Sequence, residues 1–185
     1  MHGIIFAGGK STRMGRDKSM MFDNITRLKS VFFSCGIHDV IILCGHEDRK
    51  SLFEGVVVVD PQENMGLHRV LQWIRNEIQD DLVCVPCDAF TLSIEGLQTM
   101  LKHDSMGGVI VQHEEIQPTF CVVPKNWKPT TEVSSLTQFV SSLPPILVED
   151  ENIDFYNFNN QEDIKKFQEI IHAIQHEFLH SQSLK

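Results

Sequence analysis

Long hydrophobic runs are missing from this chain of 185 residues. Its apolar stretches, such as Val56 to Val59 and Val109 to Val111, fall far short of the ~18 residues a membrane-crossing helix requires. An excess of positive charge is missing too. The 16 Lys plus Arg are outnumbered by 25 Asp plus Glu, for a net charge of −9, which raises the cost of approaching a nucleic acid backbone and argues against a polyanion-coating role. A small anion is still accessible where the few basic residues converge. Nor do the five cysteines make a disulfide framework. Their number is odd, they are scattered, and no charged-apolar-small leader precedes them, so the expected setting is a reducing cytoplasm with the thiols in the core. Repeats and low-complexity segments are lacking as well. With 42% apolar and 22% charged positions, the expectation is one domain spanning residues 1–185, able to bury roughly two-thirds of its unfolded surface without a metal or disulfide staple.

What is present alternates between strand and helix. Gly3-Ile4-Ile5-Phe6 is a short apolar run that stops at Ala7-Gly8-Gly9, as a buried parallel strand does on entering a loop. From Thr26, the positions Leu28, Val31, Phe32 and Cys35 recur at helical spacing and end at Gly36. Strands are predicted at Val40 to Leu43, at Val56 to Val59 (stopped by Asp60-Pro61), and at Leu82 to Val85 before Pro86-Cys87-Asp88. Leu67, Val70, Leu71, Ile74 and Ile78 share a helical face between the last two. Ile94 to Leu101 and Val109 to Val111 continue the alternation. Strands covering Thr119 to Val123 and Ile146 to Val148, with a short helix over Ser134 to Ser141, suggest a mixed edge. A final helix is capped by Asn160 and carries Ile164, Phe167, Ile171, Ile174 and Phe178 on one stripe. The predicted fold is α/β: a three-layer, Rossmann-like nucleotide-binding arrangement with a mostly parallel sheet and ligands beyond the carboxyl ends of its strands.

The densest chemistry lies in Phe6-Ala7-Gly8-Gly9-Lys10-Ser11-Thr12-Arg13-Met14-Gly15-Arg16-Asp17-Lys18. Glycines let backbone N–H groups approach phosphate oxygens closely, and four cations in nine positions supply charge for a polyphosphate. The plain alternative is a solvated basic turn. A P-loop is excluded by spacing, since its first glycine would fall at Ile4, inside the strand.

Written as G-G-x-S-x-R-M-G-x-D-K after a strand, this segment resembles the signature of the molybdenum cofactor guanylyltransferase family of nucleotidyltransferases. Further down, Asp60 and the glycine Gly66 resemble the family's aspartate and Gly-Pro-Leu stretch. Cys87-Asp88 resembles its metal motif, Gln117-Pro118 a substrate-loop segment, and Asn157-Phe158-Asn159 with Glu162-Asp163-Ile164 its closing pattern. Ala89 stands where the family has a proline after the metal aspartate, and Gly66 is followed by Leu67-His68 rather than proline.

The resemblance implies transfer of GMP from GTP to the terminal phosphate of molybdopterin, with release of pyrophosphate. It implies Phe6, Ala7, Gly8, Gly9, Lys18, Asp60 and Asp88 as nucleotide-binding residues, Arg13, Lys18 and Asp88 as the catalytic set, and Asp88 as ligand of Mg²⁺. Gln117, Pro118, Asn157 and Asn159 would contact the acceptor. Other cofactor-maturation proteins are candidate partners, and neither nucleic acid nor membrane is expected. The alternatives are a cytidylyl- or sugar-nucleotide transferase and a nucleotide-binding homologue without turnover.

Two other constellations are weaker. His176-Glu177-Phe178-Leu179-His180 spells the H-E-x-x-H of zinc peptidases. It lies too close to Lys185 for a downstream third ligand, and Phe178 belongs to the apolar stripe, so a solvated helix end is expected. Cys84-Val85-Pro86-Cys87 is a C-x-x-C, but residues three apart on a strand face opposite ways, which favours two core thiols.

Overall fold

A computed structural model describes residues 1–9, 15–62, 65–129 and 133–183, the last three without their side chains. Seven strands form one sheet: β1 (His2–Phe6), β2 (Val40–Gly45), β3 (Val56–Val59), β4 (Leu82–Pro86), β5 (Gly108–Gln112), β6 (Glu115–Val123) and β7 (Pro145–Leu147). Their order is β3-β2-β1-β4-β6-β5-β7. β1 to β4 pair in parallel, β6 is antiparallel to both β4 and β5, and β7 is parallel to β5. The expected mostly parallel α/β sheet with a mixed edge is therefore observed.

Strand residues pack alternately into two cores, which is why these strands read as continuous apolar runs rather than alternating ones. Ile5, Ala7, Val83 and Val85 face α1 (Asn24–Ser34) and α3 (Ile94–Leu101), against Leu28, Phe32, Leu97 and Met100. Ile4, Phe6, Leu82 and Cys84 face the other way, toward α2 (Leu67–Ile78) and α4 (Leu136–Val140), against Val70, Leu71, Phe139 and Val140. Cys84 and Cys87 fall in opposite cores, as the strand period requires, and all five cysteines are free thiols. Gly36 adopts φ +81° just past α1, the left-handed position where glycine ends a helix.

The carboxyl-terminal region departs from the single helix predicted. Asn160 does cap it, in a reciprocal box with Asp163, but the helix breaks at Phe167 into α5 (Gln161–Lys166) and α6 (Gln168–Ser183). The break has a packing cause: the Phe167 ring sits 4.5 Å from Tyr156 and 5.8 Å from Phe158, within a hydrophobic cluster that also includes buried Phe90 and Ile171. β6 is longer than predicted. It begins at Glu115, after a two-residue turn in which His113 and Glu114 both adopt left-handed φ (51° and 61°). No described helix is long and apolar enough to cross a membrane.

Candidate active site

The sheet's order reverses between β1 and β4, the position at which open α/β sheets leave a crevice beyond their carboxyl ends. Phe6 is in register with Pro86, and the Cys87 N–H donates to the Phe6 carbonyl at 3.0 Å, so the glycine loop after β1 and the Cys87-Asp88 turn after β4 leave the sheet side by side. Gly8 must be glycine here. A β-carbon on it would lie 2.9 Å from the Gly45 α-carbon, where β2 ends.

Lys18 starts a short 3₁₀ helix (Lys18–Met20) that Asp17 caps by accepting from the Ser19 N–H. Lys18 Nζ donates to Asp88 Oδ2 at 2.6 Å and also to the Phe158 carbonyl. One cation thereby ties the loop after β1, the turn after β4 and the segment preceding α5. The Lys18 and Asp88 side chains are only 16% and 12% exposed, so their attraction is poorly screened. Asn157 and Asn159 flank buried Phe158 and are themselves exposed, beside this junction.

Gln117 and Pro118 reach the same end of the sheet from the other side. β6 pairs with β4 from Leu82↔Val123 to Cys84↔Cys121, and its earlier residues run on beyond that pairing, where a proline removes no ladder bond to β4. Pairing with β5 jumps from Val109↔Cys121 to Ile110↔Gln117, so Pro118 to Phe120 bulge from the ladder. Asp60 stands farther out, at the end of β3, with its N–H bonded to the Gly45 carbonyl at 3.0 Å. Burial pushes its carboxyl above the ordinary value, against an opposing pull from His46. Arg13 lies outside the described residues, as do Lys10, Ser11, Thr12 and Met14.

Sequence reasoning missed Arg49. It follows β2 in a 3₁₀ segment (Glu47–Leu52), and its guanidinium donates to Asp17 Oδ2 at 2.5 Å, the Ala7 carbonyl at 2.7 Å, Ser19 Oγ at 2.9 Å and the Cys44 carbonyl at 3.0 Å. Because Ala7 also donates its N–H to Leu43, both its backbone polar groups are engaged within the protein. The only signal in the sequence is a cation a few residues beyond a strand end. α1 starts at Asn24 rather than at the predicted Thr26, and Asn24 and Arg27 on it are both buried and bonded to the turn that carries Asp88.

The H-E-x-x-H histidines lie exposed on α6 with their Nε2 atoms 3.1 Å apart, and no group of three or more metal-ligating side chains occurs among the described residues.

Residues 3–139 match the family described as the MobA-like NTP transferase domain. The chain belongs to this family. Comparison with curated proteins found no match. Among solved structures, the molybdopterin-guanine dinucleotide biosynthesis protein A of Archaeoglobus fulgidus is similar with a TM-score of 0.72 at 15% identity, over 94% of this chain and 100% of that one. A nucleotidyl transferase from Methanothermobacter thermautotroptrophicus gives a TM-score of 0.70 at 14% identity, over 93% and 97%. The bifunctional IspDF of Campylobacter jejuni gives 0.66 at 14% identity, over 90% of this chain and 53% of that one. At such identities the likeness shows a shared fold. Membership of the MobA-like family makes the protein a nucleotidyltransferase, and the junction of Lys18 with Asp88 lies at the crevice where this fold places its ligands.

Lys18→Ala removes the cation at this junction and is expected to weaken triphosphate binding ten- to a hundredfold, the equivalent of the roughly 1.5–3 kcal/mol of one charge-assisted contact. Equilibrium binding of a labelled nucleoside triphosphate checks it, and unchanged affinity would show that Lys18 serves structure alone.

Proposed function

We propose that the protein is a Mg²⁺-dependent guanylyltransferase that moves GMP from GTP to the terminal phosphate of molybdopterin and releases pyrophosphate. The observation that carries this reading is the Lys18–Asp88 pair at the β1/β4 crevice, directly beside the glycine loop. In the transfer, a phosphate oxygen of the acceptor bonds to the α-phosphorus as the bond to the β-phosphate breaks, and pyrophosphate leaves with the electron pair. Such chemistry asks for alignment and charge neutralisation more than for proton transfer. Lys18 presents a fixed cation to the phosphates, and exposed Gly9 offers backbone that phosphate can approach closely. Gln117, Pro118, Asn157 and Asn159 border the same end of the sheet and would orient the acceptor.

Asp88 suits Mg²⁺. It supplies a hard carboxylate oxygen in a nearly enclosed setting, and Mg²⁺ is commonly held by one or two carboxylates plus substrate phosphates rather than by an all-protein cage. When bound, the ion would neutralise charge on the transferring and leaving phosphates. Free thiols at all five cysteines suit a reducing compartment such as the cytoplasm.

The test is competition of labelled GTP by unlabelled GTP, CTP, ATP and UTP, with pyrophosphate release then followed using Mg²⁺ and molybdopterin. GTP is expected to displace best and to support release. Equal displacement by CTP would support a cytidylyl transferase instead. Binding without release would support a non-catalytic homologue.

A further inference from the structure

We propose that Asn24 and Arg27 of α1 are positioning residues that aim the Asp88 carboxylate, by gripping the turn on both sides of it; the inference rests on the reading of Asp88 as the metal-binding carboxylate. Asp88-Ala89-Phe90 contains no proline to restrict its backbone. The turn has local backbone bonds of its own, from the Ala89 N–H to the Pro86 carbonyl at 3.2 Å and from the Phe90 N–H to the Asp88 carbonyl at 2.7 Å, and it is also held from outside. Asn24 Nδ2 donates to the carbonyl of Cys87 at 2.8 Å, immediately before Asp88. The Arg27 fork donates to the carbonyl of Ala89 at 2.6 Å, immediately after it, and to that of Leu92 at 2.6 Å. Arg27 Nε also donates to Asn24 Oδ1 at 2.8 Å, which makes the two side chains one unit.

Both residues are buried, Asn24 at 1% and Arg27 at 4% exposure. Burying a guanidinium is expensive, and an apolar side chain would fill the space under α1 at lower cost. The nearby negative charge of Asp154 offsets part of that cost, while Asp154 itself accepts from the Ser93 N–H at 2.7 Å. What an apolar residue could not do is bond two carbonyls at once, and a lysine could not match the fork either. With the peptide before Asp88 fixed by Asn24 and the one after Ala89 fixed by Arg27, the backbone that carries the Asp88 side chain has little freedom to swing it away from Lys18. This is the role that hydrogen-bonding partners around a metal ligand ordinarily play.

The full-length protein tests it through Mn²⁺, which favours the same oxygen ligands as Mg²⁺ and is readable by paramagnetic resonance. Mn²⁺ is titrated in the presence of GTP, alongside hydrogen exchange of the amides from Cys87 to Leu92. Arg27→Lys is expected to weaken Mn²⁺ binding about tenfold and to speed exchange of those amides about as much, with GTP affinity in EDTA within about twofold of wild type. Phe139→Leu, a core change on the opposite face of the sheet, controls for general loss of stability and should move neither readout. If Arg27→Lys does not fold, Asn24→Ala reads the same effect through the Cys87 carbonyl. Normal Mn²⁺ binding and turn exchange in the folded variant, or equal changes in Phe139→Leu, would overturn the positioning role alone. A wild type that binds no GTP-dependent Mn²⁺ would overturn the metal reading of Asp88, and this proposal with it.

Discussion

Replacing Asp88 with asparagine should lower turnover at saturating GTP by at least about a thousandfold while leaving the protein folded, because a bound metal supplies several kcal/mol of charge stabilisation and every 1.36 kcal/mol is a factor of ten in rate. Asparagine keeps the shape of the side chain and an oxygen that can still accept from Lys18, now 2.6 Å from the carboxylate. Only the charge is lost. Because the hydrogen bond survives but part-buried Lys18 loses its counter-charge, the expected cost is about 2–3 kcal/mol, a fall of roughly 4–12 °C in melting temperature at this chain length, from a protein that remains folded. A large rate effect in a protein that remains folded separates a metal-holding carboxylate from a turn residue. Pyrophosphate release by both proteins across a Mg²⁺ series is the measurement, and a near-normal rate with normal metal dependence would show that the metal is held elsewhere.

That Asp88 follows the end of a strand was legible in the sequence. Leu82 to Val85 is an apolar run buried on both faces, so its end is visible, and the chemistry of this fold collects at strand ends. The same logic reached Gly8 and Gly9, whereas the roles expected of Asp60 and Asp88 came from the family resemblance. The helices over Leu67–Ile78 and Ile94–Leu101 were equally visible, since each buries one stripe. Features set by distant partners were not visible. The β5–β6 turn uses His113 and Glu114, neither of them the Asn-Gly type that announces a tight hairpin. The break at Phe167 depends on Tyr156 and Phe158, brought to it by the fold rather than by local propensity. Arg27 looked like a polar position on an amphipathic helix, and only the tertiary placement of Ala89 and Leu92 explains why a cation is buried there.

Arg49 is the clearest of these, and its removal carries the second large expectation. Arg49→Ala deletes donors to the Ala7 and Cys44 carbonyls, to Ser19 Oγ and to the Asp17 carboxylate, leaving an anion without its partner next to the glycine loop. Hydrogen bonds to charged groups and the rupture of a part-buried ion pair together suggest a loss of about 2–3 kcal/mol, the lower end of the range for such pairs because the Asp17 side chain is still 28% exposed. At this chain length that is a fall of roughly 4–12 °C in melting temperature. Triphosphate affinity should fall too, since Asp17 caps the turn that presents Lys18 and Ala7 leads into Gly8.

The loss should also depend on pH in a definite direction. Burial raises the Asp17 carboxyl, but hydrogen bonds from Arg49 and Ser19 outweigh it and hold the group below its ordinary value of 3.8. A carboxyl depressed in the folded state stabilises above its unfolded pKa and loses that contribution as pH falls through the folded value. Wild type and Arg49→Ala should accordingly differ most near pH 7, and the gap should narrow as the pH drops below about 4, toward the pH-independent part that the Ala7 and Cys44 carbonyls contribute. Asp80, held down at about 2 by the amino terminus, titrates alike in both and cancels from the difference. Melting curves of the two proteins from pH 7 to pH 3 read this directly. A constant gap across that range would mean that Arg49 stabilises through the two carbonyls alone, and no gap at all would mean that the clamp on the glycine loop does not contribute to stability.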